Sequence, residues 1–158
     1  MKILFLGDII GLSGCSAVEK YLPEQIKKKQ IDFVIVNGEN CSEQGVGITE
    51  EIANNLFKSG VNVITSGNHI WDQKETADHI EKESRLLRPH NLISPSPGRG
   101  FEIFTSNNGI RVGVLNLMGN VFMKKSNDVF DSAKKFLQKN SLTKDYDILI
   151  LDFNGETT

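Results

Sequence analysis

The chain has 158 residues, which is enough to bury the core of one domain. Its formal net charge of -2 at pH 7 excludes a general attraction to nucleic acid or to anionic membranes. Two cysteines, Cys15 and Cys41, form no Cys-x-x-Cys pattern and are typical of a reducing compartment. No apolar run approaches the roughly 20 residues of a membrane span, and no signal-peptide pattern follows Met1. We therefore expect a cytoplasmic protein without membrane contact.

Strand and helix patterns alternate along the first half of the chain. Apolar runs predict strands at about 2–7, 32–37 and 61–65. Helices are predicted over about 16–29, between the N-cap Thr49 and the stop at Ser59-Gly60, and over about 72–83. This β-α-β-α-β order favours a parallel sheet with right-handed crossovers.

The second half combines a hairpin, a helix and a last strand. Pro, Gly and Ser residues predict an irregular connection over 88–100. Strands predicted at 101–105 and 110–116 are joined by Asn108-Gly109, a strong hairpin signal. An amphipathic helix over about 128–139 leads to a strand at 148–151. Because no repeat or linker interrupts the pattern, residues 1–158 are interpreted as a single α/β domain.

Three short polar clusters follow the three strands of the first half: Gly7-Asp8, Asn37-Gly38-Glu39-Asn40 and Gly67-Asn68-His69. In open α/β sheets, ligands bind at the carboxyl ends of parallel strands. The clusters are therefore expected to bring Asp, Glu, Asn and His side chains toward one place. Oxygen donors with an imidazole suit Mn or Fe better than a zinc site that prefers thiolates. The pattern favours a metal-dependent hydrolase.

Other strand-end chemistries fit these residues less well. The spacing Gly7-x-x-x-Gly11-x-x-Gly14 is not the Gly-x-Gly-x-x-Gly of a dinucleotide domain, and Asp8 occupies the place where a pyrophosphate would approach. No strand is followed by the Gly-Lys-Ser/Thr of a Walker loop. The serines near the first strand lack the late Asp and His partners of a serine esterase. Each cluster alone is also compatible with an ordinary turn.

Taken together, the three clusters resemble those of the YmdB-like metallophosphoesterases, a branch of the calcineurin-like phosphoesterase superfamily. The resemblance covers essentially the whole chain, because it extends to Trp71-Asp72, Arg88-Pro89-x-Asn91, Asn116-Leu117-Met118-Gly119 and Asp152-Phe153. It implies a calcineurin-like sandwich of two packed sheets and a dinuclear site with two Fe or Mn ions. It also implies hydrolysis of small-molecule phosphodiesters, namely cyclic nucleotides of the 2′,3′-cyclic type, and is compatible with a homo-oligomer.

The resemblance also implies a role for each cluster residue. Asp8 and Asn40 would bind the first metal ion, and Asn68 would bind the second. Glu39 would bridge both ions, since its two oxygens can neutralise cations held about 3.5–4 Å apart. His69 would act as the catalytic general acid on the leaving-group oxygen, while a metal-bound hydroxide attacks phosphorus in line.

Two departures from the family pattern predict a weakened metal site. The family has His after Asp-Phe, where this chain has Asn154, and a neutral amide oxygen is a weaker donor than imidazole. The family also continues well beyond this point and supplies a Gly-Thr-His-Thr-His segment with two more histidine ligands. We therefore expect an incomplete sandwich that lacks its C-terminal part, at most one weakly held ion, bound mainly by Asp8 and Glu39, and near-background activity. The alternative function is a catalytically impaired remnant that binds a nucleotide or a partner, or has no function.

Five further residues are interpreted as lying outside the chemistry. Asn37 is expected to hold its loop through side-chain hydrogen bonds, and Trp71 and Cys41 are expected to be packing residues. His79 lies in a polar helix and is expected on the solvated surface. His90 lies in the Pro-rich connection, where the family pattern places no ligand.

Overall fold

The computed structural model describes residues 1–156, which form two three-stranded sheets packed face to face between helices. No helix within this range is long and apolar enough to cross a membrane. The elements follow in the order β1 (Ile3–Ile10), α1 (Gly11–Lys29), β2 (Phe33–Asn40), α2 (Glu50–Lys58), β3 (Val63–Thr65), α3 (Thr76–Lys82), β4 (Phe101–Thr105), β5 (Arg111–Met118), α4 (Val129–Lys139) and β6 (Ile148–Asn154).

The first sheet and the hairpin of the second have the strand directions that the sequence predicts. The first sheet has the order β1-β2-β3 and is parallel throughout. The second has the order β4-β5-β6, in which β4 and β5 form the antiparallel hairpin and β6 pairs with β5 in parallel. The predicted α/β fold class is confirmed.

Alternation of side chains along the strands divides the core into three layers. Phe33 and Ile35 of β2 point away from the helices and pack with Val112 and Val114 of β5, which closes the space between the sheets. The intervening residues of β2 pack with α1 and α2. On the far side of the second sheet, Leu115 and its neighbours pack against α4. The result is an α/β/β/α sandwich.

Three predicted boundaries are wrong in ways that concern the polar clusters. β2 continues to Asn40, so Asn37-Gly38-Glu39-Asn40 lie inside the strand and not after it. β1 likewise continues to Ile10, so Asp8 lies inside that strand. Its pairing with β2 is irregular on both sides of Asp8, and such bulges let a strand continue while re-aiming a side chain. The polar helix predicted over 72–83 is shorter, because 72–75 form turns in which the backbone N–H of Asp72 bonds to the carbonyl of His69.

Local signals for helix ends and turns are confirmed. The Thr49 hydroxyl caps α2 by accepting a hydrogen bond from the backbone N–H of Ile52 at 3.2 Å. Gly60 follows α2 with a φ of 105°, which L side chains rarely adopt.

The surface position expected for His79 is wrong, since only 8% of this residue is exposed. His79, Thr76 and Ile80 share the inward face of α3, and the polar residues there conceal the helical period.

Asn91 fastens the irregular connection to the end of β5. It is buried, its Nδ2 donates to the carbonyls of Met118 (2.7 Å) and Asn127 (3.0 Å), and its Oδ1 accepts from the N–H of Met118 at 2.9 Å. One side chain therefore satisfies three backbone groups at the strand end that faces the polar clusters.

Replacement of Asn91 by Ala should lower the free energy of unfolding by about 2–3 kcal/mol, because buried backbone groups lose their partners. Urea unfolding of both proteins measures the difference. Asn107→Ala, at an exposed turn position, is the matched control and should change stability by less than about 0.5 kcal/mol. Equal effects of the two substitutions would contradict this role for Asn91.

Candidate active site

Asp8 and Asn40 meet at the carboxyl ends of β1 and β2. Nδ2 of Asn40 donates to Oδ2 of Asp8 at 2.8 Å. The bond engages the amide nitrogen of Asn40, so its amide oxygen is the atom left for another ligand. The irregular pairing around Asp8 aims this carboxylate at the neighbouring strand.

Glu39 is the buried carboxylate of the site and is only 4% exposed. Burial raises the pKa of Glu39, and the charge on Asp8 adds to this effect. The backbone N–H and charge of His69 and the side chain of Asn154 oppose it by favouring the ionised form. Because these donors only partly compensate for burial, Glu39 is a carboxylate that a cation would stabilise.

A glycine is required where the third cluster passes Glu39. A Cβ on Gly67 would clash with Nδ2 of Asn154 and with Oε2 of Glu39. The backbone after β3 can therefore approach both side chains only without a side chain of its own. This contact brings Asn154, from the second sheet, into the same site as Glu39.

Asn68 has a buried oxygen that lacks a protein partner. Its Oδ1 accepts no hydrogen bond from any described residue. Nδ2 of Asn154 is likewise buried without a well-formed hydrogen bond, although it lies against Glu39. Unpaired buried polar atoms are rare in proteins, and an amide oxygen in this state is a natural ligand for a hard cation.

His69 is held by a carboxylate that sequence reasoning did not assign to the site. Nδ1 of His69 lies 2.5 Å from Oδ2 of Asp72, and Oδ1 of Asp72 accepts from Nζ of Lys124 at 3.0 Å. The contact with His69 lowers the pKa of Asp72, and Lys124 lowers it further, so this carboxylate stays ionised. An ionised Asp72 fixes the proton on Nδ1 and leaves Nε2 of His69 for substrate. The spacing His69-x-x-Asp72 is the signal that could have revealed the pair.

The second sheet supports the site through hydrogen bonds between buried polar side chains of the two sheets. Nδ2 of Asn37 donates to Oδ2 of Asp152 at 3.0 Å, and Oδ1 of Asn37 accepts from the N–H of Glu39 at 3.0 Å. Burial raises the pKa of Asp152, while the nearby hydroxyl of Thr65 and the hydrogen bond from Asn37 oppose the shift. The structural role expected for Asn37 is confirmed, whereas the contact of Asp152 with this cluster was not foreseen.

Other residues singled out in the sequence have packing contacts. The ring of His90 packs edge-on against Phe136 of α4, with centroids 5.8 Å apart. Trp71 packs against the core under the first sheet, and Cys41 is fully buried, as expected for packing residues.

The donor set formed by Asp8, Glu39, Asn40 and Asn68 fits a hard divalent cation. All four contribute oxygen, one carboxylate is buried, and one amide oxygen is unpaired. Within 1–156, no group of three or more His, Cys, Asp or Glu side chains is arranged to hold a metal ion. The site is therefore a mixed carboxylate and amide site. The ligand and catalytic roles of its residues remain predictions.

Known proteins similar to this chain include phosphodiesterases. A 2′,3′-cyclic-nucleotide 2′-phosphodiesterase of Bacillus subtilis is 37% identical over 158 residues, and a putative phosphatase/phosphodiesterase of Mycoplasma genitalium is 35% identical over 164 residues. Both alignments cover 100% of this chain, but only 58% and 56% of those proteins. The chain thus spans little more than half the length of these curated relatives.

Solved structures show the same fold over almost the whole chain. A hypothetical protein from Thermus thermophilus superposes with a TM-score of 0.88 at 29% identity, covering 99% of this chain and 59% of the other. A phosphatase from Mycoplasma pneumoniae gives a TM-score of 0.87 at 33% identity, covering 99% of this chain and 56% of the other. The model of the YmdB-like protein family matches residues 4–158, and the chain belongs to that family.

Proposed function

We propose that this chain forms the metal site of a phosphodiesterase that hydrolyses cyclic nucleotides of the 2′,3′-cyclic type with two divalent ions, Fe or Mn. The main observation is that one end of the sandwich holds buried Glu39, which lies against Gly67 and near the charge of Asp8, together with the Asp8–Asn40 pair and Asn68, whose oxygen has no partner among the described residues. The identity of 37% with a 2′,3′-cyclic-nucleotide 2′-phosphodiesterase supports the choice of substrate.

Each donor has a place in this proposal. Asp8 and the oxygen of Asn40 would hold one ion, Asn68 would hold the other, and Glu39 would contact both. When bound, divalent ions supply Lewis-acid polarisation of the phosphoryl oxygens and neutralise the charge that develops in the transition state. Burial of Glu39 strengthens its attraction to a cation because little water screens the charge.

His69 is the general acid in this proposal. In the doubly protonated ring, Asp72 accepts from Nδ1 and Nε2 carries the second proton, which would pass to the leaving-group oxygen. Lys124 binds the other oxygen of Asp72 and keeps it from rotating away from the ring. These contacts orient the imidazole before substrate arrives, which is how positioned acids lower a barrier.

A second candidate function is a module that binds a nucleotide or a partner with little turnover. The observation that favours it is the position of Asn154 against Glu39, where the family pattern has a histidine ligand. An amide donor there would hold an ion less firmly than imidazole. Turnover of a 2′,3′-cyclic nucleotide at saturating Mn²⁺ separates the two candidates, since the module predicts only the background rate.

Mn²⁺ should stabilise the protein through Glu39. At a free concentration about 100 times Kd, the expected gain is about 2.7 kcal/mol, seen as a rise in the melting temperature. Glu39→Gln should abolish the rise, because the buried negative charge is lost. The control Glu43→Gln, at an exposed position, should keep it. The proposal is wrong if Mn²⁺ leaves the melting temperature of the unsubstituted protein unchanged, or if both variants respond alike.

Replacement of His69 by Ala should separate chemistry from metal binding. We expect the Mn²⁺-dependent rise in melting temperature to persist, while kcat for a 2′,3′-cyclic nucleotide falls by about 10²–10⁴-fold in a longer chain with measurable activity that also carries the Gly-Thr-His-Thr-His segment of the family. His90→Ala is the matched control, because this ring packs on α4, and it should keep the full rate. Loss of Mn²⁺ stabilisation together with activity would instead make His69 a ligand.

A further inference from the structure

A buried carboxylate of the second sheet lies behind the proposed cation site. Asp152 belongs to β6 and is 8% exposed. Its hydrogen-bond donor is a neutral group of the first sheet, Nδ2 of Asn37 at 3.0 Å, and the side chain of Thr65 lies beside it with its hydroxyl donating to the carbonyl of Val36 at 3.3 Å. Asp152 thus buries a carboxylate against uncharged groups.

One residue connects Asp152 to the backbone of Glu39. The amide of Asn37 has a donor end and an acceptor end, and both are used. Because Asp152 accepts from the nitrogen of Asn37, the oxygen of Asn37 must face the N–H of Glu39. Asp152 therefore sets the orientation of Asn37, and Asn37 holds Glu39 in place.

The charge of Asp152 is not required by these contacts. An asparagine at this position could offer its oxygen to Asn37 and its nitrogen to the hydroxyl of Thr65, which can also accept. A buried carboxylate without a cationic partner is unfavourable for folding, so a neutral amide would serve the fold at least as well. With a cation bound at Glu39, the negative charge of Asp152 would become favourable, and a neutral amide at this position would no longer serve as well.

We propose that Asp152 is a positioning residue for the cation site, orienting Glu39 through Asn37 and adding negative charge that helps to retain divalent ions. The inference rests on the proposed function. Carboxylates behind the ligands of a metal ion orient those ligands and strengthen their interaction with the ion. Asp152 acts in this way from the opposite sheet, so cation binding depends on how the two sheets are packed.

The test is Asp152→Asn in the intact protein, with Mn²⁺ affinity measured by titration calorimetry. We expect affinity to fall by about 10–100-fold, as for other residues that support metal ligands. Without Mn²⁺, the unfolding midpoint should be unchanged or higher, because a buried charge has been removed. Asp78→Asn removes the same charge from an exposed position and should keep the wild-type affinity and stability.

Thr65→Val separates support of the fold from support of the ion. It removes the buried hydroxyl beside Asp152, which donates to the carbonyl of Val36, but keeps the charge of Asp152 and its hydrogen bond to Asn37, so stability should fall while Mn²⁺ affinity is retained. Wild-type affinity in Asp152→Asn would overturn the inference. An Asp152→Asn protein that fails to fold or is less stable without Mn²⁺ would overturn it too, since the carboxylate would then serve the fold. Failure of the unsubstituted protein to bind Mn²⁺ would instead refute the proposed function.

Discussion

The space between the two sheets changes from apolar to polar along the strands, and the candidate site depends on this change. On β2 the inward-facing series begins with Phe33 and Ile35 and continues with Asn37 and Glu39. On β6 it passes from Ile150 to Asp152 and Asn154. The same alternation that buries the core therefore carries polar side chains into the interior at the carboxyl ends.

Polar side chains buried between the sheets are tolerated only if their polar atoms have hydrogen-bond partners. Asn37 and Asp152 hydrogen-bond to each other across the sheets, and Oδ1 of Asn116 accepts from the N–H of Ser66 at 3.0 Å, although Nδ2 of Asn116 has no partner among the described residues. Glu39 and Asn68 are different, because burial disfavours the charge of the first and the oxygen of the second is unpaired. A bound divalent cation would offset the charge of Glu39 and would give the oxygen of Asn68 a partner, so binding would stabilise the fold.

Features that are determined by residues close together in the chain could be predicted from the sequence. The strand runs, the Thr49 cap and the Asn108-Gly109 turn depend on neighbouring residues, and the structure agrees with them. The convergence of Asp8 with Asn40 followed from parallel strands. Asn37 and Asp152 are 115 residues apart, so their pairing depends on how the sheets face each other, which no local pattern reveals. The burial of His79 was hidden for a related reason, because polar neighbours conceal the inward face of α3.

Diffraction from crystals grown with Mn²⁺ tests the central claim most directly, because anomalous scattering locates the ion among its ligands. The account predicts Mn²⁺ bound by Asp8, Glu39 and Asn40, and a second position, of lower occupancy, bound by Glu39 and Asn68. Oδ1 of Asn68 should then be paired with the second ion, and Asp152 should remain bonded to Asn37. Absence of anomalous density at Glu39 under saturating Mn²⁺, or Mn²⁺ bound only elsewhere on the chain, would contradict it.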